Sequence, residues 1–180
     1  MNRFSGSTVI EVACGTGYWT QFFAPVAAYV LAIDAAPETL RIAKTQSGTN
    51  HVDFVVGDAY LLPVTASKFD AAFAGFWLSH VPKQRLPEFL LSLHKTLRPN
   101  AKVVFLDNRF VKDSSSPISE PDAEGDTYQT RLLDNGTAYR VLKNFLTEQE
   151  LQVLVNNLGS QVVYTEWQHY WALEYTVSKP

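Results

Sequence analysis

The chain has 180 residues, 46% of them hydrophobic and 18% charged, which suits a single domain with a sizeable core and excludes disorder as its main state. Fifteen Lys and Arg against 18 Asp and Glu leave a net charge of -3, so the electrostatic footprint of a nucleic-acid binder or an anionic-membrane binder is absent. No apolar run approaches the roughly 18 residues of a bilayer span, and the lone Cys14 excludes an internal disulfide.

In chain order, "TVIEVA" from Thr8, "YVLAID" from Tyr29, "VDFVVGD" from Val52, "FDAAFAG" from Phe69 and "KVVFLD" from Lys102 predict five buried strands. Between them "YWTQFFAPVAA", "PETLRIAKTQ" and "QRLPEFLLSLHKTL" predict helices, with Pro37 at a first turn and Pro25 shortening or kinking the first helix. Strand alternating with helix implies a parallel sheet covered on both faces. From Val111 the polar stretch "KDSSSPISEPDAEGDT" reads as a loop or an irregular helix. The segment from Thr127 to Phe145, turning at Asp134-Asn135-Gly136, predicts a β-hairpin or a strand-turn-helix excursion, so residues 109–146 form an insertion or lid. Thr147 and Glu150 form a capping box for a helix expected to stop at Gly159. The tail holds two further strands, antiparallel to one another because the turn near Gln168 is too short for a parallel crossover. One domain, residues 1–180, accounts for everything.

Three strands end in a carboxylate at the edge where open α/β sheets bind ligands: Asp34, Asp58 and Asp107. The first instead turns through Ala13, Cys14, Gly15, Thr16 and Gly17 into a helix, with small residues that admit a ligand close to the backbone. Asp34 lies 17 residues beyond Gly17, near the offset at which an acid reaches ribose hydroxyls. Thr20 stands where a dinucleotide fingerprint needs its third Gly, which argues against an NAD-dependent oxidoreductase.

Together "VIEVACGTG", "VLAIDAAPETL", "VDFVVGDAYLLP", "FDAAFAGFWLSHVP" and "LRPNAKVVFLDN" resemble the ordered motifs of class I S-adenosylmethionine-dependent methyltransferases, over residues 8 to 108. The resemblance implies a Rossmann-like, doubly wound seven-stranded sheet, mostly parallel with an antiparallel C-terminal strand, in the order 3-2-1-4-5-7-6. It implies that Glu11, Ala13, Gly15 and Gly17 surround the methionine portion of the cofactor, with Ala13 replacing a commoner Gly. Asp34, with Ala35 beside it, would hold the ribose. Asp58, Ala59 and Tyr60 would read the adenine, and Gly75 and Phe76 would lie beneath the sulfonium. Trp19 is either a cofactor contact or core packing.

For the acceptor, His80 is the candidate base, against a packing role at the start of the next helix. Trp77, Arg109 and Tyr128 are the candidate substrate contacts, Arg109 being suited to a carboxylate or phosphate or else merely superficial. Asp107-Asn108 matches a pair found in metal-dependent catechol-type O-methyltransferases, but "FAGFW" lacks their other carboxylate, so no metal is expected. The same stretch lacks the signature of nucleobase-amine methylation. The expected function is therefore S-adenosylmethionine-dependent methylation of a small organic acceptor in the cytoplasm, without nucleic acid or membrane insertion. The other reading is a cofactor-binding protein without turnover. Domains of this resemblance place helices before the first motif, so the 11 Phe, 8 Tyr and 4 Trp are expected to be covered by the region after Asp107 or by homodimer formation.

Overall fold

The computed structural model describes residues 2–46, 48–64 and 67–178. Its main sheet is built from β1 (Thr8–Val12), β2 (Tyr29–Asp34), β3 (Val52–Val56), β4 (Phe69–Gly75), β5 (Leu97–Asn108), β8 (Gly159–Glu166) and β9 (Tyr170–Val177), in the order β3-β2-β1-β4-β5-β9-β8. β6 (Tyr128–Leu132) and β7 (Ala138–Leu142) form a separate two-stranded hairpin. With that hairpin set aside, the order is the 3-2-1-4-5-7-6 that the motifs implied. β1 to β5 pair in parallel, β9 runs antiparallel between β5 and β8, and the insertion is a hairpin rather than a strand-turn-helix.

The period-2 alternation of each strand sends its side chains to two separate cores. Ile10, Val12 and Ile33 lie on one face with Phe89, Leu90 and Leu93 of α3 (Leu86–Thr96) and Leu151 and Val155 of α4 (Glu148–Val155). Val9, Val30 and Phe73 lie on the other with Phe23 of α1 (Thr20–Phe23) and Leu40 of α2 (Pro37–Ala43). The second face is thinly covered: an apolar cavity of 270 Å³ lies there among Phe4, Trp19, Phe73, Leu106 and Trp167.

Three elements depart from expectation. α1 spans only four residues before Pro25 turns the chain into a 3-10 segment, Ala24–Val26. β5 starts at Leu97, directly after α3, and absorbs Pro99 and Asn100 in an irregularity of its pairing with β4. α4 carries the predicted capping box but ends at Asn156, and Gly159 instead opens β8. Close approach explains that glycine, since a Cβ there would sit 2.3 Å from the Tyr175 ring.

Candidate active site

The turn after β1 is held by the acid that ends β2. Asp34 Oδ2 accepts from the Gly15 N–H at 2.7 Å, while Oδ1 accepts from the Ala36 N–H at 2.9 Å and the Thr39 hydroxyl at 3.1 Å. One carboxylate thus fixes both the loop and the start of α2, with lone-pair capacity left for a ligand hydroxyl. Ala13 adopts φ 56°, the left-handed conformation that glycine occupies without penalty, which accounts for this position being unusual for alanine. Gly17, at φ +74°, packs against α2, where a Cβ would lie 3.0 Å from that of Ala43.

Beside this loop opens a cleft of 460 Å³, within the size range of small-ligand sites. Of the predicted cofactor residues, Ala13, Asp34, Ala35, Asp58 and Ala59 line it, with Val12, Ile33 and Val56 as apolar walls. Asp58 is exposed at the rim and accepts from the Tyr60 N–H at 2.8 Å, which fixes the turn but occupies that donor. Trp77, predicted to touch the acceptor, lines this cleft instead, packed against Tyr60 and Phe89. Its indole Nε1 is buried with no hydrogen-bond partner among the described residues.

The remaining predicted cofactor residues do not line the cleft. Glu11 is buried and accepts from the Thr20 hydroxyl at 2.5 Å; burial pushes its carboxyl up to about 8, and the charge of Asp34 adds to the effect. Trp19 lines the apolar cavity on the opposite face rather than the cleft, in keeping with the packing alternative. Gly75 makes room for it, because a Cβ there would stand 2.7 Å from the indole Cδ1. Phe76, at φ 57°, packs its ring between Trp19 and Tyr170.

A second, polar cavity of 380 Å³ opens beyond β5, under the hairpin. Arg109 lines it, as the sequence suggested, and pairs with Glu166 at 2.9 Å. Tyr128 does not: its hydroxyl donates to Asp122 and Arg140 stacks on its ring, while Gln129 and Arg131 of β6 face the cavity. Lys143, which sequence reasoning missed, is buried there. Its ammonium donates to Ser79 Oγ at 2.7 Å and Asn108 Oδ1 at 2.9 Å, and lies 3.5 Å from Asp107 Oδ1. Asp107, the candidate metal acid, is thereby committed to Lys143 and to the Ser79 N–H at 2.9 Å.

His80 sits between the two cavities in chain order, in the 3-10 turn Leu78–His80 after β4. Its Nδ1 lies 2.8 Å from the Leu142 carbonyl, which accepts only if Nδ1 carries the proton, so Nε2 is left as the lone-pair nitrogen. Burial, and then the charge of Lys143, lower its pKa below the ordinary histidine value and keep the ring neutral at neutral pH.

A Gly-containing turn bound by a β2 carboxylate, a cleft at the carboxyl edge of the sheet and the antiparallel β9 together define the class I methyltransferase architecture. The family model described as a methyltransferase domain matches residues 9–100, and the chain belongs to that family as an S-adenosylmethionine-dependent methyltransferase. It is similar to a ubiquinone biosynthesis O-methyltransferase of Xanthomonas axonopodis pv. citri, with 29% identity over 174 residues, covering 92% of this chain and 70% of that one. A demethylmenaquinone methyltransferase of Staphylococcus saprophyticus is 32% identical over 111 residues, covering 59% of this chain and 47% of that one. Among solved structures, a DhpI complex with S-adenosylhomocysteine superposes with a TM-score of 0.77 at 27% identity, covering 96% of this chain and 78% of that one.

Proposed function

We propose that this enzyme transfers a methyl group from S-adenosylmethionine to a small organic acceptor held beyond β5, in the reducing cytoplasm that suits a lone buried thiol. The observation that carries the reading is the pair of cavities beyond the carboxyl ends of the strands: a nucleoside-sized cleft at Asp34, Asp58 and Trp77, and a polar chamber at Asn108 and Lys143. Solved relatives titled as complexes of DhpI with S-adenosylhomocysteine and with S-adenosylmethionine support the choice of donor, and quinone methyltransferases among the curated relatives support a small-molecule acceptor.

Asp34 would hold the ribose, Asp58 and Ala59 the adenine, and the Ala13 to Gly17 turn the amino-acid end. Bound there, the cofactor supplies an electrophilic methyl group with a good leaving group, so the protein's task is chiefly alignment and exclusion of water. His80, with Nε2 as its lone-pair nitrogen, would take up the acceptor's proton. Methyl-labelled S-adenosylmethionine offered with a panel of small hydroxyl and amine acceptors tests the activity. With His80→Gln, turnover should drop by about 10²- to 10⁴-fold while S-adenosylhomocysteine affinity holds. In the parent enzyme the acid limb of the rate profile should lie below the ordinary histidine range, because His80 keeps its lone pair to lower pH.

A further inference from the structure

We propose that the acceptor is an organic anion, read through a carboxylate or phosphoryl group by Arg131 under the β6-β7 hairpin, in a cavity that Lys143 and Arg109 also line. The inference rests on the methyltransferase reading and names the substrate class of the same site.

Three permanently or potentially cationic side chains, Arg109, Arg131 and Lys143, face one cavity together with His169, and none of its lining residues is a carboxylate. That imbalance stands out in a chain of net charge -3. The three cations are not equivalent. Arg109 is engaged by Glu166 and by the Trp167 carbonyl, and Lys143 is anchored to Ser79, Asn108 and Asp107. Arg131 makes no ion pair among the described residues, although its charge is felt by both Lys143 and His80 and depresses the proton affinity of each. An exposed guanidinium without an ion pair among the described residues, sharing one cavity lining with a buried ammonium and the His169 imidazole, is an arrangement that a bound anion stabilises, because the guanidinium fork meets two oxygens at once.

The rest of the lining fits the same occupant. Gln129 is buried and already donates to the Ser116 carbonyl, and serines 114 to 116 edge the mouth, so hydroxyl and amide groups surround the cations rather than an apolar sleeve. An apolar tail would find little wall to bury against. A head group on Arg131 leaves the body of the acceptor to run past Asn108 toward Tyr170, whose ring lies 5.8 Å from that of Phe76.

The test uses the full chain loaded with S-adenosylhomocysteine, whose binding is measured first. Calorimetric titrations then compare benzoate with benzamide, and phenyl phosphate with phenol, and the two anions separate a carboxylate acceptor from a phosphoryl one. At least one anion should bind tenfold or more tightly than its neutral counterpart, and Arg131→Ala should abolish that preference while S-adenosylhomocysteine binding and the melting temperature hold. Arg131→Lys should restore part of it. Neutral probes binding as well as both anions, or an anion preference untouched by Arg131→Ala, would overturn the proposal while leaving the methyltransferase reading intact. Failure to bind S-adenosylhomocysteine would instead remove the reading on which it rests.

Discussion

Asp34 clamps the loop after β1 to the start of α2, and the ribose role proposed for it is a second duty for the same carboxylate. Asp34→Ala should weaken S-adenosylhomocysteine binding by about 1–3 kcal/mol, the scale of a lost charged hydrogen-bond group, as read by titration calorimetry. Undiminished affinity would contradict the ribose role. Glu11 makes a different prediction. Its folded-state pKa of about 8 stands above the ordinary 4.5, chiefly through burial. The folded state therefore holds a proton that the unfolded chain releases, and the stability from this group is complete below pH 4.5 and is lost as pH rises through 8. Between pH 6 and 8 the ligand-free protein should lose on the order of 2 kcal/mol that Glu11→Gln retains, measured by denaturant unfolding at several pH values. An unchanged pH slope in that variant would refute it. Both acids were legible in the sequence because a carboxylate at or inside a strand end is uncommon without a purpose. For Trp19 the sequence left packing and cofactor contact open, because its neighbourhood depends on Gly75, more than 50 residues away in the chain.

At the scale of elements, the strands and α2 to α4 followed from periodicity, turn chemistry and the capping box, whereas the hairpin's docking did not. Alternation along β6 identifies two faces but not which one meets the protein, and nothing in the sequence marks Gln129 and Arg131, rather than Tyr128, as the side that lines the cavity. The docking instead depends on bonds between segments far apart in the chain, most of them to the turn after β4. The Asn144 N–H donates to the Ser79 carbonyl, its amide to Asp126 and the Val81 carbonyl, and Lys143 reaches Ser79 across the same seam. One signal was available: an acid ending a buried central strand, as Asp107 does, needs a cation or donors from elsewhere. Removing that cation should be costly. Lys143→Met leaves the Asp107 carboxylate buried and without its ion pair, and should destabilise the protein by about 3–5 kcal/mol in chemical denaturation. Adding Asp107→Asn, which removes the stranded charge yet keeps an oxygen for the Ser79 N–H, should recover part of the loss. Strictly additive losses would show that the pair is not coupled.

For the whole molecule, the two faces of the sheet are unequal. α3, α4 and the large residues Phe89, Phe105, Trp171 and Tyr175 close one face, while the other keeps an apolar cavity between Phe4 and Trp167. The donor cleft lies at the sheet edge and is walled on one side by the loop that Asp34 ties together, so ligand binding adds contacts across β1, β2, β3 and the turn after β4. Such a ligand binds the folded state alone and should stabilise it by mass action. S-adenosylhomocysteine at one hundred times its dissociation constant adds about 2.7 kcal/mol, which for a domain of this size raises the melting temperature by about 5–10 °C. NAD, which shares the adenosine but lacks the amino-acid end, should produce a much smaller shift at equal concentration, since the Ala13 to Gly17 turn then has no partner. Thermal melts with each ligand decide the matter. Stabilisation by NAD without any by S-adenosylhomocysteine would mean that the turn serves a pyrophosphate, and would move the chemistry of the cleft from methyl transfer to hydride transfer.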